Sequence, residues 1–325
     1  AADTITGSKG DDIIEVVATT QGNSDTIDGG LGNDTLKLSA GSHTFSDDNK
    51  LKNVENFSLS TSDSTVNFTG QDEALTLTGG TAIDNITGGD GADIISGGDN
   101  ADILAGGTGD DVISGGAGDD DITGGANNDQ LTGGTGADTF NIDSGTDIIT
   151  DLITNDIIKV TNGASLNVTG ITAFVATSAS TNANTSATAV SLTAASGTVT
   201  IDMTNSDAKY SITGGSGDNT LKAGKKDSIL KGMDGDDIIV GDAGADTLTG
   251  GVGNDTFTGN AGVDTFNIDS ATDTVNDLGG AAGGENDVVI ISAGATLSAS
   301  NIVSFVATSA TQNNSTDAGN AVLTA

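Results

Sequence analysis

Residues 79–141 read GGTAIDNIT, GGDGADIIS, GGDNADILA, GGTGDDVIS, GGAGDDDIT, GGANNDQLT and GGTGADTFN, seven units of nine residues with no gap between them. Each unit opens on a glycine, at Gly79, Gly88, Gly97, Gly106, Gly115, Gly124 and Gly133. Its sixth position is an aspartate, namely Asp84, Asp93, Asp102, Asp111, Asp120, Asp129 and Asp138. Its eighth is Ile86, Ile95, Leu104, Ile113, Ile122, Leu131 or Phe140. So short a period marks a solenoid, in which each repeat buries its apolar residue only by stacking on its neighbours. The nine positions divide into a turn of six and a strand of three, with the eighth residue as the only one in the strand that points inward. Two units complete a coil. The glycines serve turns that need positive φ or close backbone approach, both of which a Cβ penalises.

Outward from this core the same unit recurs. Six copies run from Gly214 to Asn267, where Asn219 and Ser228 replace the first two aspartates and Asp237, Asp246, Asp255 and Asp264 keep the other four. At the amino end Gly7–Glu15 and Gly29–Lys37 supply Asp12 and Asp34, with weaker copies around Asp25 and Asp3. Asn100 and Asn127 stand where the fourth glycine belongs, a place Asn tolerates because it visits the left-handed region readily; Ala82 does so in the first unit.

The pattern resembles the G-G-x-G-x-D-x-U-x nonapeptide of the RTX family (repeats-in-toxin, the hemolysin-type calcium-binding repeat), most closely its bacterial surface-layer members. The resemblance implies an all-β fold, a parallel β-roll or β-helix solenoid with calcium-binding nonapeptide turns, interrupted by β-rich spacers. It also implies that sixth-position aspartates two units apart hold Ca2+ together. The pairs are Asp84 with Asp102, Asp93 with Asp111, Asp102 with Asp120, Asp111 with Asp129, Asp120 with Asp138, Asp237 with Asp255 and Asp246 with Asp264. Asp12 and Asp34 join them as metal ligands, whereas sites at Asn219 and Ser228 lack their carboxylate. Calcium suits such turns, being a hard cation that takes roughly six to eight oxygens from carboxylates and backbone carbonyls. The competing reading is that the aspartates only cap Asx-type turns. Against it, stacked carboxylates repel without a cation, so folding and calcium should be coupled.

Six segments follow: repeats at 1–37, a β spacer at 38–78, the main roll at 79–141, a β-rich cap at 142–213, a second roll at 214–267 and a duplicated, incomplete cap at 268–325. In the first spacer, Phe57-Ser58-Leu59-Ser60 and Val66-Asn67-Phe68-Thr69 alternate as half-buried strands do. The stretch Leu51–Phe57 is similar to spacer strands of surface-layer proteins with RTX repeats. Lys37, Lys50 and Lys52 predict surface charge pairing. Residues 138–144, DTFNIDS, recur at 264–270, and Phe174–Ala179 recurs at Phe305–Ala310. Residues 176–195 suit either a flexible loop or tightly packed β-structure. Ala321–Ala325 breaks off in mid-pattern, which fits a piece of a longer array or a partner strand supplied by a neighbouring molecule. Ala1-Ala2-Asp3 carries no secretory signal features, so a signal was removed or lies elsewhere.

Composition narrows the function. With 46 acidic and 10 basic side chains the net charge is −36, which disfavours nucleic acid and anionic lipid as partners. No run approaches the roughly 20 apolar residues of a membrane span. There is no cysteine, and His43, the single histidine, sits in a glycine-serine turn, so zinc motifs and histidine-based triads have no support. An enzyme is not expected. The expectation is an extracellular protein at the bacterial surface, exported by type I secretion, that polymerises with copies of itself into a layer or filament; cell-surface polysaccharide is a further candidate partner. The alternatives are the calcium-stiffened repeat region of an RTX adhesin, or the carboxyl-terminal secretion region of an RTX toxin or enzyme.

Overall fold

A computed structural model describes residues 4–16, 26–45, 47, 50–161, 163–176, 179–183, 190–278, 287–300, 312–313 and 321–323. Asp3, Asp25, the Phe305–Ala310 copy and the last two residues lie outside them. Two compact units divide the chain, residues 1–151 with 156–165 and residues 152–155 with 166–325. Among the described residues every regular element is a β-strand, and the strand pairs are parallel. Both units are parallel β-solenoids.

In the amino-terminal unit one face stacks Ile13–Val16, Thr35–Leu38, Asn56–Ser58, Thr76–Gly80, Ile94–Asp99, Val112–Ala117, Gln130–Thr135 and Thr146–Ile149, each bonded to the next. The other face runs from Gly41–Thr44 through Ser64–Asn67, Asp84–Thr87, Ile103–Thr108, Asp121–Ala126 and Thr139–Ile142 to Ile157–Val160. Nonapeptides alternate between the faces, so equivalent residues meet 18 positions apart: Ile95 lies beside Ile113 and Ile113 beside Leu131, while Ile86, Leu104, Ile122 and Phe140 form the opposite column. All are buried. The spacer at 38–78 belongs to the same stack with slightly longer coils, since Leu36 pairs with Phe57 and Phe57 with Leu77.

The carboxyl-terminal unit repeats the plan. Leu192, Ile212, Leu230, Leu248, Phe266 and Val289 make one column, and Phe174, Ile201, Leu221, Ile239, Phe257 and Val275 the other. Within 176–195, Val190–Ala194 is a strand that continues this stack.

Two details depart from the sequence reading. The five strands from Ile94–Asp99 to Gln130–Thr135 are six residues long rather than three, because coils of equal length keep pairing through the glycines, as in Gly98 beside Gly116. More than one position of each nonapeptide turns inward as well. The sixth, eighth and first positions are all buried, as alternation with a period of two requires. The first-position glycine is needed where the aspartate packs against it: a Cβ on Gly97 would overlap both Asp102 Oδ2 and Gly115 O. At the second position Gly98 has φ +117°, and a Cβ there would strike Gly80 O. Asn100 and Asn127 do adopt positive φ, 72° and 85°.

Side-chain columns one residue wide on each face leave no depth to absorb a charge. Ile113→Asp, at a fully buried position, is expected to cost about 3–5 kcal/mol. A urea midpoint equal to that of the parent chain would contradict this packing.

Candidate metal centre

Within each coil stack the backbone N–H of one sixth-position aspartate donates to Oδ1 of the aspartate one coil later. The bonds run Asp84 to Asp102, Asp93 to Asp111 and Asp102 to Asp120 at 2.7 Å each, Asp111 to Asp129 at 2.8 Å and Asp120 to Asp138 at 2.9 Å. The same bonds link Asp237 to Asp255 at 2.9 Å and Asp246 to Asp264 at 2.8 Å. Asp12 donates to Asp34 at 2.7 Å. The expected pairs are therefore stacked neighbours. They stand in the interior rather than along an outer edge, since apart from half-buried Asp12 every one of these aspartates is no more than 2% exposed.

Their second oxygens separate the aspartates into two kinds. Asp84 Oδ2 accepts from Gly80 N–H at 2.9 Å, Asp93 Oδ2 from Gly89 N–H at 2.8 Å and Asp12 Oδ2 from Ser8 N–H at 2.6 Å. These carboxylates are satisfied by the protein itself. Oδ2 of Asp34, Asp102, Asp111, Asp120, Asp129, Asp138, Asp237, Asp246 and Asp255 is buried with no hydrogen-bond partner. Burying an ionised oxygen without a partner is costly, and the remedy is either a proton or a cation. Desolvation pushes Asp102 and Asp111 up to about 7 and Asp246 to about 8, with neighbouring carboxylates adding to the shift and the ladder N–H opposing it. Asp120, Asp129, Asp237 and Asp255 rise to about 6 for the same leading reason. Rows of unpartnered carboxylate oxygens against bare glycine backbone suit calcium, a hard cation held by oxygen ligands.

The family model for the RTX calcium-binding nonapeptide repeat matches residues 1–15, 19–42, 78–113, 96–131, 114–149, 213–248 and 240–275, more than half of the chain. The chain belongs to the RTX calcium-binding repeat family. RTX repeats bind Ca2+ and are typical of secreted, extracellular proteins. The search of curated proteins found no match.

The RTX ladder extends past the last glycine-bearing units. Asp129 donates to Asp147 Oδ1 and Asp138 to Asp156 Oδ1, both at 3.0 Å; Asp255 donates to Asp273 Oδ1 and Asp264 to Asp287 Oδ1, again at 3.0 Å. Sequence reading missed these four because the unit-opening glycines stop at Gly133 and Gly259, although Asp147, Asp156 and Asp273 keep the 18-residue spacing. Glu55 was missed too; its Oε2 accepts from Asp34 N–H at 2.8 Å, a longer side chain filling a place in the ladder.

The two substituted turns are closed by their own side chains. Asn219 Nδ2 donates to Gly215 O and Gly217 O, and Ser228 Oγ donates to Lys226 O at 2.7 Å. Donors there occupy carbonyls in the absence of a carboxylate. His43 lies in strand Gly41–Thr44, not in a turn, with Nε2 2.9 Å from Ser39 O and its ring stacked on Phe45. Lys37 pairs with Glu15 and Lys50 with Asp47 at the surface, where such pairs contribute little.

Removal of Asp111 tests the ladder directly, because its Oδ1 accepts from Asp93 and its N–H donates to Asp129. Asp111→Ala should weaken calcium binding and cost about 1–3 kcal/mol by stranding the Asp93 N–H; Asp120→Ala should behave alike. Unchanged calcium titrations in the double variant would remove the assignment. A second expectation concerns pH. These carboxyls have folded-state values above the ordinary 3.8, so the neutral form favours the fold; that contribution is complete below 3.8 and lost as pH rises through about 6 to 8. In chelator, β-strand circular dichroism should therefore decline from about pH 5 to about pH 8, and calcium should restore it. A chelated chain that gains structure over this range would refute the account.

Proposed function

We propose that this protein is a secreted structural component without catalytic activity, exported by type I secretion and assembled with copies of itself into a calcium-dependent layer or filament outside a bacterial cell. The observation that carries the reading is the repeated buried aspartate whose Oδ2 has no protein partner. A chain built this way is poorly suited to fold where free calcium is scarce and well suited to stiffen where it is plentiful. Two solenoid units on one plan favour a building element over a site for one small ligand. Cell-surface polysaccharide is the proposed anchor. The same rigid repeats would serve the stalk of a large adhesin, and assembly is what separates the two roles.

Electron microscopy of the purified chain in millimolar calcium, beside a chelated sample, decides between them. Sheets or filaments that disappear on chelation are expected. Dispersed rods in calcium would overturn the polymer reading and leave the adhesin or secretion-region role.

A further inference from the structure

We propose that Asp255, Asp269 and Asp273 form a three-carboxylate site for a hard divalent cation that binds more tightly than the two-carboxylate rungs of the ladder. The inference rests on the calcium reading above but assigns a ligand outside the nonapeptide pattern. One oxygen from each residue lies within 4.8 Å of the other two. Calcium–oxygen bonds of about 2.4 Å let a single ion reach oxygens up to about 4.8 Å apart. Asp255 and Asp273 are 1% and 0% exposed, and Oδ2 of each is buried without a hydrogen-bond partner. Those orphaned atoms point to a missing ligand independently of the number of charges gathered there.

Asp269 reaches the site from an unusual place. It occupies the position one coil after Gly251, where earlier coils carry the second glycine, and its Oδ1 accepts from Gly251 N–H at 2.9 Å. The carboxylate is thereby pinned over the turn that holds Gly251, and both Asp255 and Asp273 feel its negative charge. Calcium affinity is tuned by the number of charged ligands, so a third carboxylate should favour this site over its neighbours.

The hydrogen bonds of this site, though not its three-oxygen cluster, recur in the amino-terminal unit. Asp143 Oδ1 accepts from Gly125 N–H at 3.1 Å, Asp129 N–H donates to Asp147 Oδ1, and Oδ2 of both Asp129 and Asp147 is orphaned. Asp143 is exposed whereas Asp269 is half-buried, so water screens the first more than the second. The stronger of the two is the site at Asp269.

Calcium titration of the full chain against a chromophoric chelator tests this, with ions per chain counted by equilibrium dialysis. Asp269→Asn keeps an acceptor for Gly251 N–H and removes only the charge. It should weaken the tightest class of binding by about tenfold or more or remove one ion from it. Asp143→Asn should have a smaller effect, and Asp234→Asn, an exposed carboxylate of the same unit, none. Tight binding identical to the parent in Asp269→Asn would overturn the inference while leaving the repeat sites standing. A parent chain that binds no calcium would overturn both. Hydrogen exchange of the unaltered chain during the titration gives a second reading that does not depend on the variant folding. Residues 251–273 should become protected at lower calcium than residues 84–111, and simultaneous or later protection overturns the inference.

Discussion

An ionisable oxygen placed on the inward face of coil after coil, with Asn219 and Ser228 as the exceptions in the second roll, governs this molecule. The apolar columns beside it are one side chain wide and made chiefly of Ile, Leu and Val, with a Phe at intervals. So thin a core has little surplus with which to bury charge. Each aspartate is therefore handled atom by atom. In most of them one oxygen is fixed by the N–H of the preceding coil, which sets the register of the stack, and the other is left to something the polypeptide does not contain. Fold and cation are two parts of one requirement.

The coils answer that requirement unequally. Asp84 and Asp93 are closed by glycine N–H groups, and the Asn219 and Ser228 turns by side-chain donors. Around the latter the chain concentrates lysines, with Lys209 on Asp227 at 3.0 Å, Lys222 on Asp202 at 2.8 Å and Lys226 on Asp207 at 3.8 Å. Local neutralisation replaces external charge there. The need for a cation thus differs from coil to coil, least where protein donors fill the turns and greatest where unpartnered carboxylates crowd.

Much of this was legible beforehand. A nine-residue period with an aliphatic eighth position specifies a two-faced solenoid, and the coil length of 18 follows from it. The inward placement of the aspartate was available too, since positions six and eight differ by two and must share a face; assigning the sixth residue to a turn hid it. Asp147, Asp156 and Asp273 escaped because the search followed glycine, which reports turn geometry, rather than aspartate, which reports the ladder. Asp287 lies 23 residues after Asp264, so the longer coil disguised its register. Which aspartates keep an unpartnered oxygen depends on whether the backbone N–H four residues earlier turns toward the carboxylate, and identical motifs do not encode that difference.

The ladder also has a direction. In every rung the donor lies in the earlier coil and the acceptor in the later one, so a stack presents carboxylate acceptors on one side and N–H donors on the other. Any contact between molecules that prolonged these ladders would have to join unlike ends. Such an interface is heterologous and cannot close on itself by a twofold axis. Growth along the stack would be polar, with every subunit facing the same way.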